Sequence, residues 1–201
     1  KNLYNQTPVE ALKEELPGTK AILAHCVKLS NQDIEEISKI DADISIATCP
    51  VSNLKLGCGV ANINKMQEVG LNVCIGTDGQ GSGCSLDLFE QMKYVALLQK
   101  GFYEKPELMP AYEILKMATI NGAKALGLNQ KIGSIEIGKR ADIILIDMKT
   151  VLTTPINDVL AELDDIRQNY LLKSINENTQ TIITSVDTIL FENEFLKSYI
   201  Y

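Results

Sequence analysis

Three polar residues stand where apolar runs end. His25 closes AILAHC, Thr48 closes ISIAT, and Asp78 closes LNVCIGTD. An imidazole and a carboxylate brought to one place can hold a cation, exchange protons with a water molecule, or steady a charge as it develops. His25 is the only histidine among 201 residues. Asp78 is followed by glycines at 79, 81 and 83, which can give loop flexibility or let backbone approach a ligand closely. Each residue also has an ordinary reading. A lone histidine in an apolar run is usually a core residue with one satisfied hydrogen bond. An Asp-Gly pair usually starts a turn, the carboxylate bonding to nearby backbone. Ser52 and Asn53, just past the second run, read as ordinary loop material. The glycines do not make a dinucleotide fingerprint, because the acidic residue expected after a second strand is not evident. No P-loop Lys-Ser/Thr occurs either.

Those residues are positioned by a repeating pattern. Apolar runs at 21–27, 44–51 and 71–78 are each followed by a helical stretch. The first helix opens on a capping signature, Ser30 with Asp33 three residues on. The second lies around 61–69, after the loop SNLKLGCG. The third, SLDLFEQMKYVALLQKG, is expected to stop at Gly101. Short apolar strands alternating with helices predict βα units and a parallel sheet, its strands apolar on both faces because helices cover both sides. In such architectures functional groups sit at the carboxyl ends of strands, which places His25, Thr48 and Asp78 on one rim. A polar helix is expected in TPVEALKEEL and another over 110–127, with Pro110 at its start and Gly127 past its end. The texture then changes. KIGSIEIGKRADIILID (131–147) alternates as a hairpin would, with a turn at Gly138-Lys139. A charged helix and further strands, turning near Glu192-Asn193, follow.

Composition narrows the classes. The chain is 45% hydrophobic and 22% charged, an ordinary globular balance. A net charge of −7 and a pI near 4.8 argue against nucleic acid or an anionic membrane as partner. No apolar run approaches the roughly 20 residues needed to span a bilayer. Five cysteines, Cys26, Cys49, Cys58, Cys74 and Cys84, form no CxxC pair and no even framework, which points to a reducing, cytoplasmic setting.

The runs LAHCVKLS, CPVSNLKLGCG, IGTDGQGSGCSLDLFEQMKYVALLQKG, MATINGAKALGL and IGSIEIGKRADIILID, in this order and spacing, resemble the C-terminal part of an amidohydrolase-superfamily metal-dependent hydrolase. The nearest branch holds 5-methylthioadenosine/S-adenosylhomocysteine deaminases and triazine chlorohydrolases. The resemblance runs from about residue 20 to 148. It implies an α/β fold, the C-terminal portion of a (β/α)8 TIM-type barrel with strands of a small β-sandwich. Residues 1–128 would be a partial barrel carrying strands six to eight, and residues 129–201 a small β domain with an intervening helix. By the same resemblance Asp78 binds the catalytic divalent metal, zinc first with iron or manganese as alternatives, and accepts a proton from the metal-bound water. His25 stabilises the developing oxyanion without being a principal ligand.

The implied activity is hydrolytic deamination of a purine-like small-molecule heterocycle, a C–N hydrolase reaction. Chloride displacement from a triazine, guanine deamination, or a non-catalytic barrel remnant serving as an interaction module are the alternatives. A homo-oligomer is compatible with the family. Several features depart from its pattern. Thr48 stands where many relatives have histidine, and Gln80, Gly81, Gly83 and Cys84 differ from the commoner loop. The family's His-x-His and His-x-x-Glu pairs have no counterpart in a chain with one histidine. With them missing, and Lys1 rather than methionine first, the sequence reads as a C-terminal fragment, incompetent and poor in metal by itself.

Overall fold

The computed structural model describes residues 7–83 and 85–146. The charged helix, the last strands, the Glu192-Asn193 turn and Cys84 lie outside the described residues.

Helix α1 (Pro8–Leu12) starts on Thr7, whose Oγ1 accepts from the Glu10 amide at 3.1 Å, with proline in the first turn where no N–H is missed. Strand β1 (Lys20–Ala24) leads to α2 (Asn31–Ser38), which opens on the expected Ser30–Asp33 capping box. Strand β2 (Asp43–Thr48) runs straight into α3 (Pro50–Lys55), where the sequence had suggested a loop. The proline sets the first turn with a backbone angle already suited to a helix. Helix α4 (Ile63–Glu68) precedes β3 (Asn72–Ile75), and a single short turn, α5 (Gln80–Gly83), follows it.

The long helix α6 (Leu88–Tyr103) is capped by Asp87, which accepts from the Phe89 amide at 2.9 Å. It runs past Gly101, contrary to the expected stop. Glu104 instead takes the left-handed conformation and the Glu104 and Lys105 amides close on the Lys100 carbonyl. The single helix expected over 110–127 is two, α7 (Ala111–Ala118) and α8 (Ile120–Ala125). They break at Thr119, whose hydroxyl bonds back to the Leu115 carbonyl at 2.7 Å.

The three strands form one parallel sheet in the order β1-β2-β3, with Ala24 beside Ala47 and Thr48 beside Ile75. On β2, Ile44, Ser45 and Ile46 are buried in succession, so both of its faces are covered. β1 departs from the expectation of two covered faces. Ile22 is 45% exposed, and among the described residues this strand has a ladder neighbour on one side only. Ile34 and Ile37 of α2, Met66 of α4, Phe89, Met92 and Val95 of α6, and Ile114 and Met117 of α7 close over Ile46 and Val73. Each such buried side chain contributes roughly 1.5–3 kcal/mol. α8 is fastened to the sheet by polar groups. Asn121 Nδ2 donates to the Val73 carbonyl at 2.9 Å, and Asn72 Nδ2 donates both to the Asn121 carbonyl and to Ser45 Oγ.

The expected hairpin after residue 130 is realised only as its turn. Gly138 takes φ 92° while the Lys139 amide reaches the Glu136 carbonyl, and the Arg140 amide reaches the Lys131 carbonyl. No strand forms among the described residues of this segment. Its apolar alternation has no neighbouring ladder there, and Ile135 and Ile137 are exposed.

Candidate active site

The parallel register carries the two chemistry-bearing residues to one rim. The His25 amide continues the ladder past the end of β1, donating to the Ala47 carbonyl at 2.8 Å. His25 and Cys26 then turn with φ of 65° and 51°. Asp78, three residues beyond β3, has φ 59°. Few non-glycine residues occupy this left-handed region, and those that do gather where the surrounding structure over-determines them for a purpose. The turn that throws Asp78 onto the rim is therefore made by the aspartate itself. Of the three glycines after it, only Gly83 is sterically required. A Cβ there would lie 2.4 Å from the Thr77 carbonyl oxygen, whereas at Gly79 and Gly81 nothing lies within 4 Å.

The side chains converge. His25 Nε2 lies 3.8 Å from Asp78 Oδ2, with 41% and 30% of the two side chains exposed, so both are open to solvent and to a small ligand. Thr48, the third expected rim residue, is buried at the end of β2. There its carbonyl accepts from the Gly76 amide, and it lines a small hollow with Pro50, Asn53 and Ala61.

Two residues that had read as loop material shape the pair. Ser52 Oγ donates to Asp78 Oδ2 at 2.6 Å, and the Gly79 amide donates to Asp78 Oδ1 at 2.6 Å. The Ser52 hydroxyl first, then the Gly79 amide and Ser82, hold the Asp78 carboxyl below the usual aspartate range, with the His25 ring a smaller contributor. The site thus presents an anionic oxygen pair. Asn53 Oδ1 meets His25 Nδ1 at 2.8 Å. Ser52 and Asn53 are themselves buried, as side chains of the first turns of α3. The only sequence signal for them was their place directly after a strand end and a helix-starting proline. Lys55, from the end of the same helix, donates to the Gly81 carbonyl at 2.9 Å and ties α3 to the segment after Asp78.

Beside the site the thiols are inert. Burial pushes Cys26 and Cys74 up to about 11, and burial followed by the Asp78 charge raises Cys49. The four described cysteines are free. No helix of the described residues is long and apolar enough to cross a membrane.

A carboxylate and an imidazole meet at the ends of the first and third strands of the parallel sheet, and residues 3–183 match the profile of the amidohydrolase family. The chain belongs to that family. It is 44% identical over 161 residues to the 5-methylthioadenosine/S-adenosylhomocysteine deaminase of Moorella thermoacetica, covering 80% of this chain and 37% of that protein. It is 43% identical over 164 residues to the 5'-deoxyadenosine deaminase of Methanosarcina acetivorans, covering 81% and 37%. Among solved structures, an adenosine deaminase from Xanthomonas campestris with bound zinc superposes with a TM-score of 0.74 at 33% identity, covering 81% of this chain and 37% of that one. A triazine hydrolase variant superposes with a TM-score of 0.71 at 29% identity, covering 81% and 36%. The chain thus spans a little over a third of the length of the relatives it matches.

An ionised carboxylate and an imidazole nitrogen suit zinc, iron or manganese. Two side chains fall short of the three protein ligands of a catalytic zinc centre, and no group of three or more His, Cys, Asp or Glu converges among the described residues. Asp78 could serve as one ligand of such a site, with His25 beside it rather than a principal ligand.

Proposed function

We propose that this chain carries the proton-handling carboxylate of a metal-dependent aminohydrolase, one that hydrolytically removes an amino group from an adenosine-like purine. The observation that carries the reading is the convergence of His25 and Asp78 to 3.8 Å at the carboxyl ends of parallel strands in an amidohydrolase-family chain. In this reading β1, β2 and β3 are the sixth, seventh and eighth strands of a (β/α)8 barrel. Residues 1–128 belong to that barrel and residues 129–201 to a small β domain. The reduced cysteines suit a cytoplasmic enzyme.

A divalent metal, zinc first, supplies when bound a water whose pKa falls to about 7. Asp78 would hold the cation through its carboxylate and take up a proton from the attacking water. Its ionised state, secured by Ser52 and the Gly79 amide, suits it to holding the cation. His25 would steady the oxygen on which charge develops as water adds to the ring carbon, as a donor once Nε2, bare in the resting site, has itself taken up a proton. A C–O bond forms, the C–N bond breaks, and ammonia leaves with the oxo product. The remaining ligands, and the acid that protonates ring nitrogen and leaving group, come from outside the described residues.

The test is made on the complete polypeptide that carries this sequence, loaded with zinc. It should release ammonia from 5-methylthioadenosine, S-adenosylhomocysteine or 5'-deoxyadenosine. Zinc-loaded protein that leaves all three untouched would overturn the substrate assignment. The likeness to triazine hydrolase, together with Thr48 in place of the histidine common in relatives, favours one second reading, displacement of a leaving group from a triazine ring. Release of chloride from a chlorotriazine, without ammonia from the purines, would select it.

A further inference from the structure

We infer that Asn53 is a positioning residue that fixes both the tautomer and the facing of His25, so that the neutral ring offers its bare Nε2 to Asp78 and to the mouth of the site. The inference deepens the hydrolase reading and rests on it for its purpose, though not for its test.

The argument begins with the acceptor. An amide oxygen has no proton to give, so the 2.8 Å contact between Asn53 Oδ1 and His25 Nδ1 requires the hydrogen to be on Nδ1. A neutral imidazole carries one N–H, and Nε2 is then a lone pair. That lone pair is the atom nearest Asp78, 3.8 Å from Oδ2, beyond hydrogen-bond length and wide enough for a third atom to serve both groups. In free histidine the proton prefers Nε2, so the site holds the less favoured tautomer, and something must hold it there.

Asn53 is equipped to do so. It is 3% exposed, its own amide donates to the Cys49 carbonyl at 3.0 Å, and its carbonyl accepts from the Cys58 amide at 2.8 Å. Its backbone is therefore pinned at both ends. The ring it holds starts from a left-handed His25 backbone whose amide is bound to Ala47. Ser52, the residue before, holds Asp78 Oδ2. Consecutive side chains of α3 thus orient the two functional groups. A ring with its proton on Nε2 would instead point a donor at the carboxylate and leave Asn53 Oδ1 without one.

The measurement is a long-range 1H–15N correlation spectrum of the complete polypeptide that carries this sequence, without metal or substrate, at a pH where the ring is neutral. The His25 signals are assigned by their loss in His25→Ala. Nδ1 is expected to resonate as the protonated nitrogen and Nε2 as the bare one. A majority of Nε2–H in the unaltered protein overturns the inference. Asn53→Leu, which keeps the volume and removes the acceptor, should return the ring to a majority of Nε2–H. Asn53→Asp, which keeps an acceptor, should preserve Nδ1–H. Retention of Nδ1–H in a folded Asn53→Leu protein also overturns the inference. Should that variant fail to fold, the unaltered protein and Asn53→Asp decide by themselves. None of these spectra depends on turnover, so an inactive enzyme with the Nδ1–H ring would refute the hydrolase reading alone.

Discussion

The sharpest perturbation is a single methyl group at Gly83. Three glycines follow the aspartate, and intrinsic propensity treats them alike. Glycine inside a helix or turn of ordinary φ is less favourable than alanine by about 0.5–1 kcal/mol, so each Gly→Ala change should stabilise by that amount. The structure separates them. At Gly79 and Gly81 an added Cβ has nothing within 4 Å and the backbone needs no positive φ, so Gly79→Ala and Gly81→Ala should melt at or above the unaltered protein. At Gly83 the same atom would sit 2.4 Å from the Thr77 carbonyl oxygen, which is backbone and cannot rotate away. Overpacking of this kind costs about 1–3 kcal/mol, leaving a net loss of up to about 2.5 kcal/mol after the propensity gain. At about 2–4 °C per kcal/mol for a chain of this size, Tm should fall by up to about 10 °C. Thermal unfolding of the three single variants side by side, followed by circular dichroism, reads the contrast directly. Thr77 precedes Asp78, so a shift of the Thr77 carbonyl that relieves the clash would also move the carboxylate. Gly83→Ala in the complete enzyme should lose turnover while Gly79→Ala and Gly81→Ala keep it. A Gly83→Ala protein that melts as high as its Gly81→Ala counterpart would refute the reasoning.

Three further outcomes follow from the same geometry. Ser52→Ala removes the first of the groups that hold the Asp78 carboxyl down, so a 13C-detected titration of Asp78 should move up toward the ordinary aspartate value. Because the folded-state value lies below the unfolded one, Asp78 adds stability above its unfolded pKa, near 3.8, and loses it as pH falls through the lowered value. That acid-side loss should shrink in Ser52→Ala, and an unmoved titration would count against the hydroxyl's role. In the complete enzyme Asp78→Asn should abolish turnover and weaken metal retention. His25→Ala should lower turnover by about 10²–10⁴ with metal largely kept, and equal metal loss in both would overturn the division of roles. Cys26 and Cys74, raised by burial to about 11 from 9.0, should alkylate about 100-fold more slowly than an ordinary thiol at pH 8, read by mass spectrometry, and rapidly once unfolded.

Local rules carried most of the fold. The Ser30 capping box, the three strands and their parallel order were legible because each depends on residues a few positions apart or on runs of apolar side chains. Misjudged elements share a cause. α3 stands where the sequence predicts a loop, since Ser52 and Asn53 are poor helix formers in isolation; Pro50 and packing against α6 outweigh that. Gly101 reads as a stop because glycine usually ends helices, yet the hydrogen bonds to the Lys100 carbonyl close α6 beyond it. The apolar alternation after residue 130 looked like strands, but alternation specifies a face, and a strand exists only beside another strand.

The site shows the same boundary at finer grain. Ser30 and Asp33 exchange hydrogen bonds across three residues, and the pattern can be read directly from the text of the sequence. Ser52 and Asp78 make a bond of the same chemistry across 26 residues, and His25 and Asn53 across 28. Nothing in the residue types distinguishes these serines and acids. What distinguishes them is the register that sets Ala24 against Ala47 and Thr48 against Ile75, because it lines up the three strand ends and everything that leaves them. A one-residue slip of β3 against β2 would move Asp78 away from Ser52 and, with side chains alternating between faces, turn Val73 out of the core. Burial of Val73 and Ile46 therefore fixes the distance between the imidazole and the carboxylate as firmly as any residue that touches them.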